Sequence, residues 1–361
     1  MKNPFTHTPG RVGDANITTT VEEKVYENFS YPQPSESVYK ITGIRGSGKT
    51  VIFGNILRHY RTAEMKAAGW LVYDISSARN QISTLISYLL LEPEVKKALL
   101  AEKANLSASI PLVGISAGVD TKTDYDEEVR LEQLVGILIK AGKKIIIGID
   151  DIAKTEAMTE FCSVYAKLIR NTLEDEIAAS WPLYLICSGV YQNFYELGEV
   201  PNLTFFKRAA ELKTEPFPMP AMAIKYEDIA QMDEDRAISF AKKTKGFAYA
   251  YQVLGSAYFE HKDKGEEYVL KQAKSELFSQ CYEKIWKELP EGEREILRIV
   301  ASGPKKRKEI LEELGGKGSY QVNSTALKKM GLLTDSSESY GVAEITLPFF
   351  GEYIQKYWSD H

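Results

Sequence analysis

Four short apolar runs stand out because they show no helical period. They are Val38 to Thr42, Trp70 to Ile75, Lys144 to Ile149 and Leu183 to Ser188. The third, inside "KKIIIGIDD", stacks Ile145, Ile146, Ile147 and Ile149 without polar alternation, as a strand buried on both faces requires. Between the runs the period changes to that of a helix. Val51, Phe53, Ile56, Leu57 and Tyr60 share one face, as do Leu131, Leu134, Val135, Leu138 and Ile139 in a segment that Gly142 ends. Phe161, Val164, Tyr165, Leu168 and Ile169 form a third such stripe. Strands alternating with amphipathic helices predict an α/β domain on a parallel sheet.

The flanks read differently. Residues 1–37 are a polar, proline-bearing lead-in with one helix around Thr20 to Phe29. "TEPFPMPAM" (Thr214 to Met222) holds three prolines and reads as a connector. From Lys225 to Tyr282 the pattern is helical throughout, as a lid over the sheet would be, and its aromatics Phe247, Tyr249, Tyr251 and Tyr258 read as core. The end of the chain gives three short helices ("EGEREILRIVAS", "KKRKEILEEL", "SYQVNSTALKKM"), two strands about a polar turn, and a final helix from Pro348. That succession predicts a winged helix-turn-helix. The expected division is 1–220 for the core with its lead-in, 221–282 for the lid and 283–361 for the winged helix. Residues 104–126 read as an insertion with a small β-hairpin.

Chemistry enters at the first strand–helix junction. "GIRGSGKT", Gly43 to Thr50, matches the phosphate-binding loop pattern G-x-x-x-x-G-K-[ST]. In that pattern the backbone of Gly43, Ile44, Arg45, Gly46, Ser47, Gly48, Lys49, Thr50 and Val51 wraps phosphate oxygens at a helix N-terminus. The Lys49 ammonium would reach the β- and γ-phosphates and the Thr50 hydroxyl would ligate magnesium. Such a loop needs carboxylates at the end of a neighbouring strand, and Asp150 and Asp151 supply them. Asp150 would hold magnesium through water, and Asp151 would polarise the attacking water with a side chain one methylene shorter than glutamate. Ser188, at the end of the next strand, either senses the γ-phosphate or caps the helix near Tyr191 to Leu197. Arg208 in "LTFFKRAAEL" follows two anchoring aromatics. It reads as an arginine finger, in its own site or that of a second copy, or as a surface ion pair. "TKTD" (Thr121 to Asp124) resembles a guanine-reading motif but precedes the carboxylate strand, so ATP is the expected nucleotide.

Charge and composition narrow the partners. A net charge of −5 excludes a uniformly basic nucleic-acid binder. Residues 284–361 hold 12 Lys+Arg and 12 Asp+Glu, and only Lys305, Lys306, Arg307 and Lys308 form a dense basic run. Within the third helix of this region Gln321 and Asn323 are the candidate base readers. DNA is the leading partner, with protein contacts as the alternative. No apolar run reaches the length of a membrane span, and the N-terminus lacks a signal-peptide core. Cys162, Cys187 and Cys281 lack metal-ligand spacing; Cys162 and Cys187, in apolar surroundings, read as buried free thiols, and the expected compartment is reducing, the cytoplasm.

With these segments in order, the chain resembles bacterial AAA-type ATPases that carry a C-terminal winged helix. That group is related to archaeal and STAND-like ATPases and more distantly to origin-recognition initiators. The resemblance rests on "NPFTHTPG", the phosphate loop, "IIIGIDD", "LTFFKRA" and "ALKKMGLL…LPFFGEYI". It implies ATP and Mg2+ between sheet and lid, with Arg208 in the arginine position of "FFKRA". Three departures accompany it. The usual glycine-arginine pair is absent around Gly13 to Ile17, Asp151 stands for glutamate, and Ala248 in "KGFAY" stands for a lid proline with no sensor arginine nearby. ATP binding with slow turnover is the expectation.

Overall fold

The strands in chain order are β1 (Val38–Thr42), β2 (Trp70–Ser76), β3 (Lys144–Asp150), β4 (Thr172–Leu173), β5 (Glu176–Ser180), β6 (Leu183–Gly189), β7 (Ala210–Lys213), β8 (Lys305–Lys306), β9 (Leu333–Asp335) and β10 (Val342–Ile345). They come from a computed structural model that describes all residues except 1, 7, 9, 12, 110–125, 174–175, 202, 316–319, 336–340 and 359–361. Five strands make one parallel sheet in the order β2-β3-β6-β1-β7. Residues alternate between its faces. Ile145, Ile147, Ile149, Leu183 and Leu185 join the core on one side, while Ile146, Tyr184, Ile186 and Ile41 join Phe53, Ile56 and Leu57 on the other. Burial on both faces is why these runs lack polar alternation, each full Ile or Leu burial contributing about 1.5–3 kcal/mol.

The lid is built from the helices Met219–Ala230, Glu234–Lys243, Ala248–His261 and Glu266–Leu277. A π-helical turn, Phe278–Tyr282, then carries the chain into the helix Glu283–Glu288. Next come the helices Glu291–Val300, Arg307–Glu313 and Tyr320–Met330, the antiparallel sheet β8-β10-β9, and the closing helix Phe350–Trp358. This is the winged-helix arrangement. It shares one hydrophobic cluster with the lid, running from Met222 through Trp286 to Ile354. Tyr282 pins the junction: its ring lies 5.0 Å from that of Phe350, and its hydroxyl donates to the Pro348 carbonyl at 2.5 Å.

The lead-in spans both halves. Phe5 packs against Tyr226 and Tyr251 of the lid, with ring centroids 5.9 and 5.8 Å away, and Tyr251 donates to the Ala15 carbonyl at 2.9 Å. Val21, Val25 and Phe29 instead join the sheet core, the last two from the helix Glu23–Ser30.

Several elements differ from expectation. β7 and the β4–β5 hairpin are added, and Lys305–Lys306 form a strand instead of opening a helix. The helix Met219–Ala230 begins inside the proline-rich connector, since proline is tolerated in a first helical turn. The helix Pro93–Ser109 runs through the start of the expected insertion hairpin, whose remainder, with Thr121 to Asp124, lies outside the described residues. All three cysteines are free and buried. Among the described residues no helix is long and apolar enough to cross a membrane.

Candidate functional site

β1 ends at Thr42, and the helix Lys49–Tyr60 begins seven residues later with Gly48 as its N-cap at φ +95°. The intervening loop lies against the lid. Gly46 has φ +83°, and a Cβ there would sit 2.8 Å from the Phe247 ring and 3.0 Å from the Tyr249 Cβ, so this position requires glycine for conformation and for space. The Tyr249 N–H donates to the Gly46 carbonyl at 3.0 Å. The Cys281 thiol donates to the Arg45 carbonyl at 3.5 Å, and the Arg45 guanidinium pairs with Glu288 at 3.0 Å. On the sheet side the Thr214 hydroxyl donates to the Ser47 hydroxyl at 2.9 Å.

The sheet order explains how the carboxylates reach this loop. β6 lies between β1 and β3, with Ile41 opposite Ser188 and Ile149 opposite Cys187, so the ends of all three strands come together. Ser188 is buried. Its hydroxyl donates to Asp150 and accepts the Asp151 N–H at 3.3 Å. Ser188 does not cap the following helix, Tyr191–Gly198, whose N-cap is Val190. Asp151 turns the chain out of β3 at φ +50°, a left-handed conformation that aspartate tolerates better than most residues. Lys49 is 9% exposed and donates to the Ile44 carbonyl at 3.0 Å. Burial lowers its ammonium to about 8, while the nearby Asp151 and Asp150 carboxylates pull it back up.

A cavity of about 510 Å³ opens over these groups. Arg45, Gly46, Ser47, Gly48, Lys49, Thr50, Val51, Asp150, Asp151 and Ser188 all line it. Its volume falls in the range of small-molecule sites. Three expected residues stand outside it. Gly43 backs onto Thr214 and Ser47, where a Cβ would collide with the Thr214 hydroxyl. Ile44 turns away to pack on the core shared by lid and winged helix, because its side chain is apolar. Arg208 ends the short helix Phe205–Arg208, exposed and away from the cavity, while the Phe205 and Phe206 rings anchor that helix 4.4 Å apart.

The other walls come from residues with no motif to mark them. Gly10, Arg11 and Asn16 arrive from the lead-in, and the Gly10–Arg11 pair stands just upstream of the stretch where such a pair is expected. Tyr249 and Gln252 arrive from the lid, and Gln280, Cys281 and Lys284 from the π-turn and the helix after it. Tyr249 is thus a cavity wall, while Phe247, Tyr251 and Tyr258 are core as expected. Only the neighbouring "KGFAY" stretch hinted at the lid wall. Surface-type residues on regular helices gave no signal.

In the winged helix, Asn323 is half-buried. Its amide packs against Gly292, at a point where a Cβ would collide with it. Gln321 and Thr325 are exposed, as is Val322 at 65%. Lys328 pairs with Asp335 at 2.6 Å, and Lys329 lies over the Tyr191 ring at 5.8 Å.

No family model matches the chain, and no curated protein sequence matches it significantly. Solved structures do match. A Walker-type ATPase of Pyrococcus abyssi superposes with a TM-score of 0.60 at 16% identity, covering 97% of this chain and 99% of that one. The ORC2 protein of Aeropyrum pernix, solved as ADPNP–ADP complexes, superposes with a TM-score of 0.55 at 13% identity, covering 93% of this chain and 91% of that one. Both cover nearly their whole length. The fold of this chain is therefore that of a P-loop ATPase: an α/β parallel-sheet core, a helical lid and a C-terminal winged helix.

Proposed function

We propose that the protein is an ATP-binding, slowly hydrolysing switch ATPase whose nucleotide state controls a winged helix that binds DNA. The observation that carries this reading is the cavity in which the phosphate loop, the strand-end carboxylates and the lid converge. The nucleotide complexes of the Aeropyrum pernix ORC2 protein add support from a similar fold. In this reading residues 46–51 cradle the phosphates and Lys49 neutralises them. The Thr50 hydroxyl and Asp150 offer hard oxygen donors, and no cluster of three or more metal-binding side chains exists among the described residues. That donor set suits magnesium, which prefers phosphate and water oxygens to an all-protein cage. Magnesium, when bound, would neutralise phosphate charge. Asp151 orients the attacking water, and its short side chain makes turnover slow. Ser188 holds Asp150 through its hydroxyl.

Arg208 is exposed and outside the cavity. It is suited to complete the site of a second copy, which makes the active form a homo-oligomer. We assign residues 1–220 to nucleotide binding, 221–282 to the lid and 283–361 to the reader. Three buried, unpaired thiols fit a cytoplasmic protein.

A second reading has its own observation. The third winged-helix element, Tyr320–Met330, presents the apolar Val322, while Lys328 and Lys329 are engaged by Asp335 and Tyr191. Such a face suits a protein partner. Fluorescence anisotropy with duplex DNA, at low and moderate salt and with Mg-ATP or Mg-ADP, separates the two readings. DNA binding that weakens with salt and differs between nucleotides is expected. Neutralising Lys305, Lys306, Arg307 and Lys308 should flatten the log–log salt slope by about one unit per lost phosphate contact. No salt-sensitive binding with either nucleotide would leave the protein-contact reading.

A further inference from the structure

Three cations surround the Cys281 side chain at the mouth of the phosphate loop: Arg45, Lys49 and Lys284. All three line the cavity. Their counter-charges differ. Arg45 pairs with Glu288 at 3.0 Å, and Lys49 is held by the field of Asp151 and Asp150. Lys284 is exposed and pairs with no carboxylate among the described residues. Arg11, from the lead-in, likewise lines the cavity without a carboxylate partner among the described residues, but of the two only Lys284 shares the Cys281 neighbourhood with Arg45 and Lys49 at the phosphate loop, and the ligand class expected here is a polyanion.

Its position follows from the helix that carries it. The π-helical turn Phe278–Tyr282 runs straight into the helix Glu283–Glu288. Positions 280, 281, 284 and 288 then fall on one face, at helical spacings of one, four and eight. Three of these four residues, Gln280, Cys281 and Lys284, line the cavity, and the fourth, Glu288, holds Arg45. The π-turn itself is an uncommon element that recurs at functional sites. Behind this face Ile285 and Trp286 are buried in the core shared with the winged helix. A load placed on Lys284 therefore acts on a helix that cannot shift without moving that core.

We infer that Lys284 is the lid-side contact for the terminal phosphate of the bound nucleotide, and that it sets the preference for the triphosphate over the diphosphate. This rests on the nucleotide-site reading above. By the geometry of such loops the backbone N–H groups take the inner phosphates and Lys49 bridges the β- and γ-phosphates from the sheet side. ATP exceeds ADP by one anionic group, and Lys284, near Cys281 at the mouth of the loop, is placed to meet it as a second cation beside Lys49. A lysine suits the role because its ammonium is a point charge on a flexible stem and does not demand bidentate geometry. Lys284 is thus a specificity residue that also signals nucleotide state toward the winged helix.

The test is calorimetric titration of the full chain with Mg-ATP and, separately, Mg-ADP. Wild type, Lys284→Gln, Lys284→Arg and Lys49→Ala are compared, with Lys287→Gln as an exposed control on the same helix. Lys284→Gln should weaken Mg-ATP about tenfold, roughly 1.4 kcal/mol, and leave Mg-ADP within about twofold. Lys284→Arg should keep most of the ATP preference, and Lys287→Gln should change neither affinity. An unchanged ATP affinity in Lys284→Gln, or an equal loss for both nucleotides, would overturn the assignment. If Lys49→Ala loses both nucleotides while Lys284→Gln behaves as wild type, the Lys284 inference fails and the site reading stands. If wild type binds neither nucleotide, both fall.

Discussion

Lys49→Ala is expected to remove ATP binding, weakening it at least about 100-fold, or about 2.7 kcal/mol. The ammonium lies beside the loop backbone and the two strand-end carboxylates, where it would neutralise the β- and γ-phosphates. Thermal stability should hold or rise slightly, because a buried ammonium with a lowered pKa costs the folded state. The sign follows from proton counting. Between about 8 and the ordinary lysine value the unfolded chain binds more protons than the folded one, so removing this group relieves a penalty below that window. The same group gives nucleotide affinity a pH dependence. Phosphates favour the charged ammonium, so as pH rises through about 8 binding must take up a proton and weakens. Calorimetric titration of wild type and variant across that pH range checks both. A variant that binds ATP as wild type does would remove the phosphate-loop assignment.

The second large effect is on turnover. Asp151→Asn should lower ATP hydrolysis by about 100-fold, the low end of what a positioned general base contributes. ATP affinity should stay level or improve, since one negative charge beside the phosphates is removed. The Asp151 backbone is fixed by its N–H bond to Ser188 at 3.3 Å, and asparagine also tolerates the φ of +50° at this position. The fold at the strand end should therefore survive. Steady-state phosphate release, read beside the ATP titration, checks the split. Equal turnover in the variant would mean that another residue orients the water.

The parts legible in the sequence were those that one continuous segment determines. β1, β3 and β6 are contiguous apolar runs, and the loop after β1 carries a spacing that few other functions require. The pairing of Ser188 with Asp150 was half-legible: both sit at strand ends, but only the insertion of β6 between β1 and β3 brings them into contact. β7 was not legible, because "AELK" is four residues long and carries a charge at two of them. The lid wall was hidden for a different reason. Gln280 and Lys284 are ordinary helix-surface residue types, and their place in the cavity wall depends on which way a π-turn aims them. The placing of Asn323 was hidden in the same way, since its contact is with Gly292 of another helix. Gly10 and Arg11 lie in a lead-in that Phe5 and Ala15 tie to lid aromatics, long-range contacts that no local pattern encodes.

Nucleotide in the cavity should be felt by the winged helix through the lid. Hydrogen–deuterium exchange of the full chain with no nucleotide, with Mg-ADP and with Mg-ATP tests it most directly. Residues 46–51 should gain protection with either nucleotide. With Mg-ATP, residues 280–288 should gain further protection and exchange in the helix Tyr320–Met330 should change. Protection confined to the phosphate loop, identical for ADP and ATP, would contradict it.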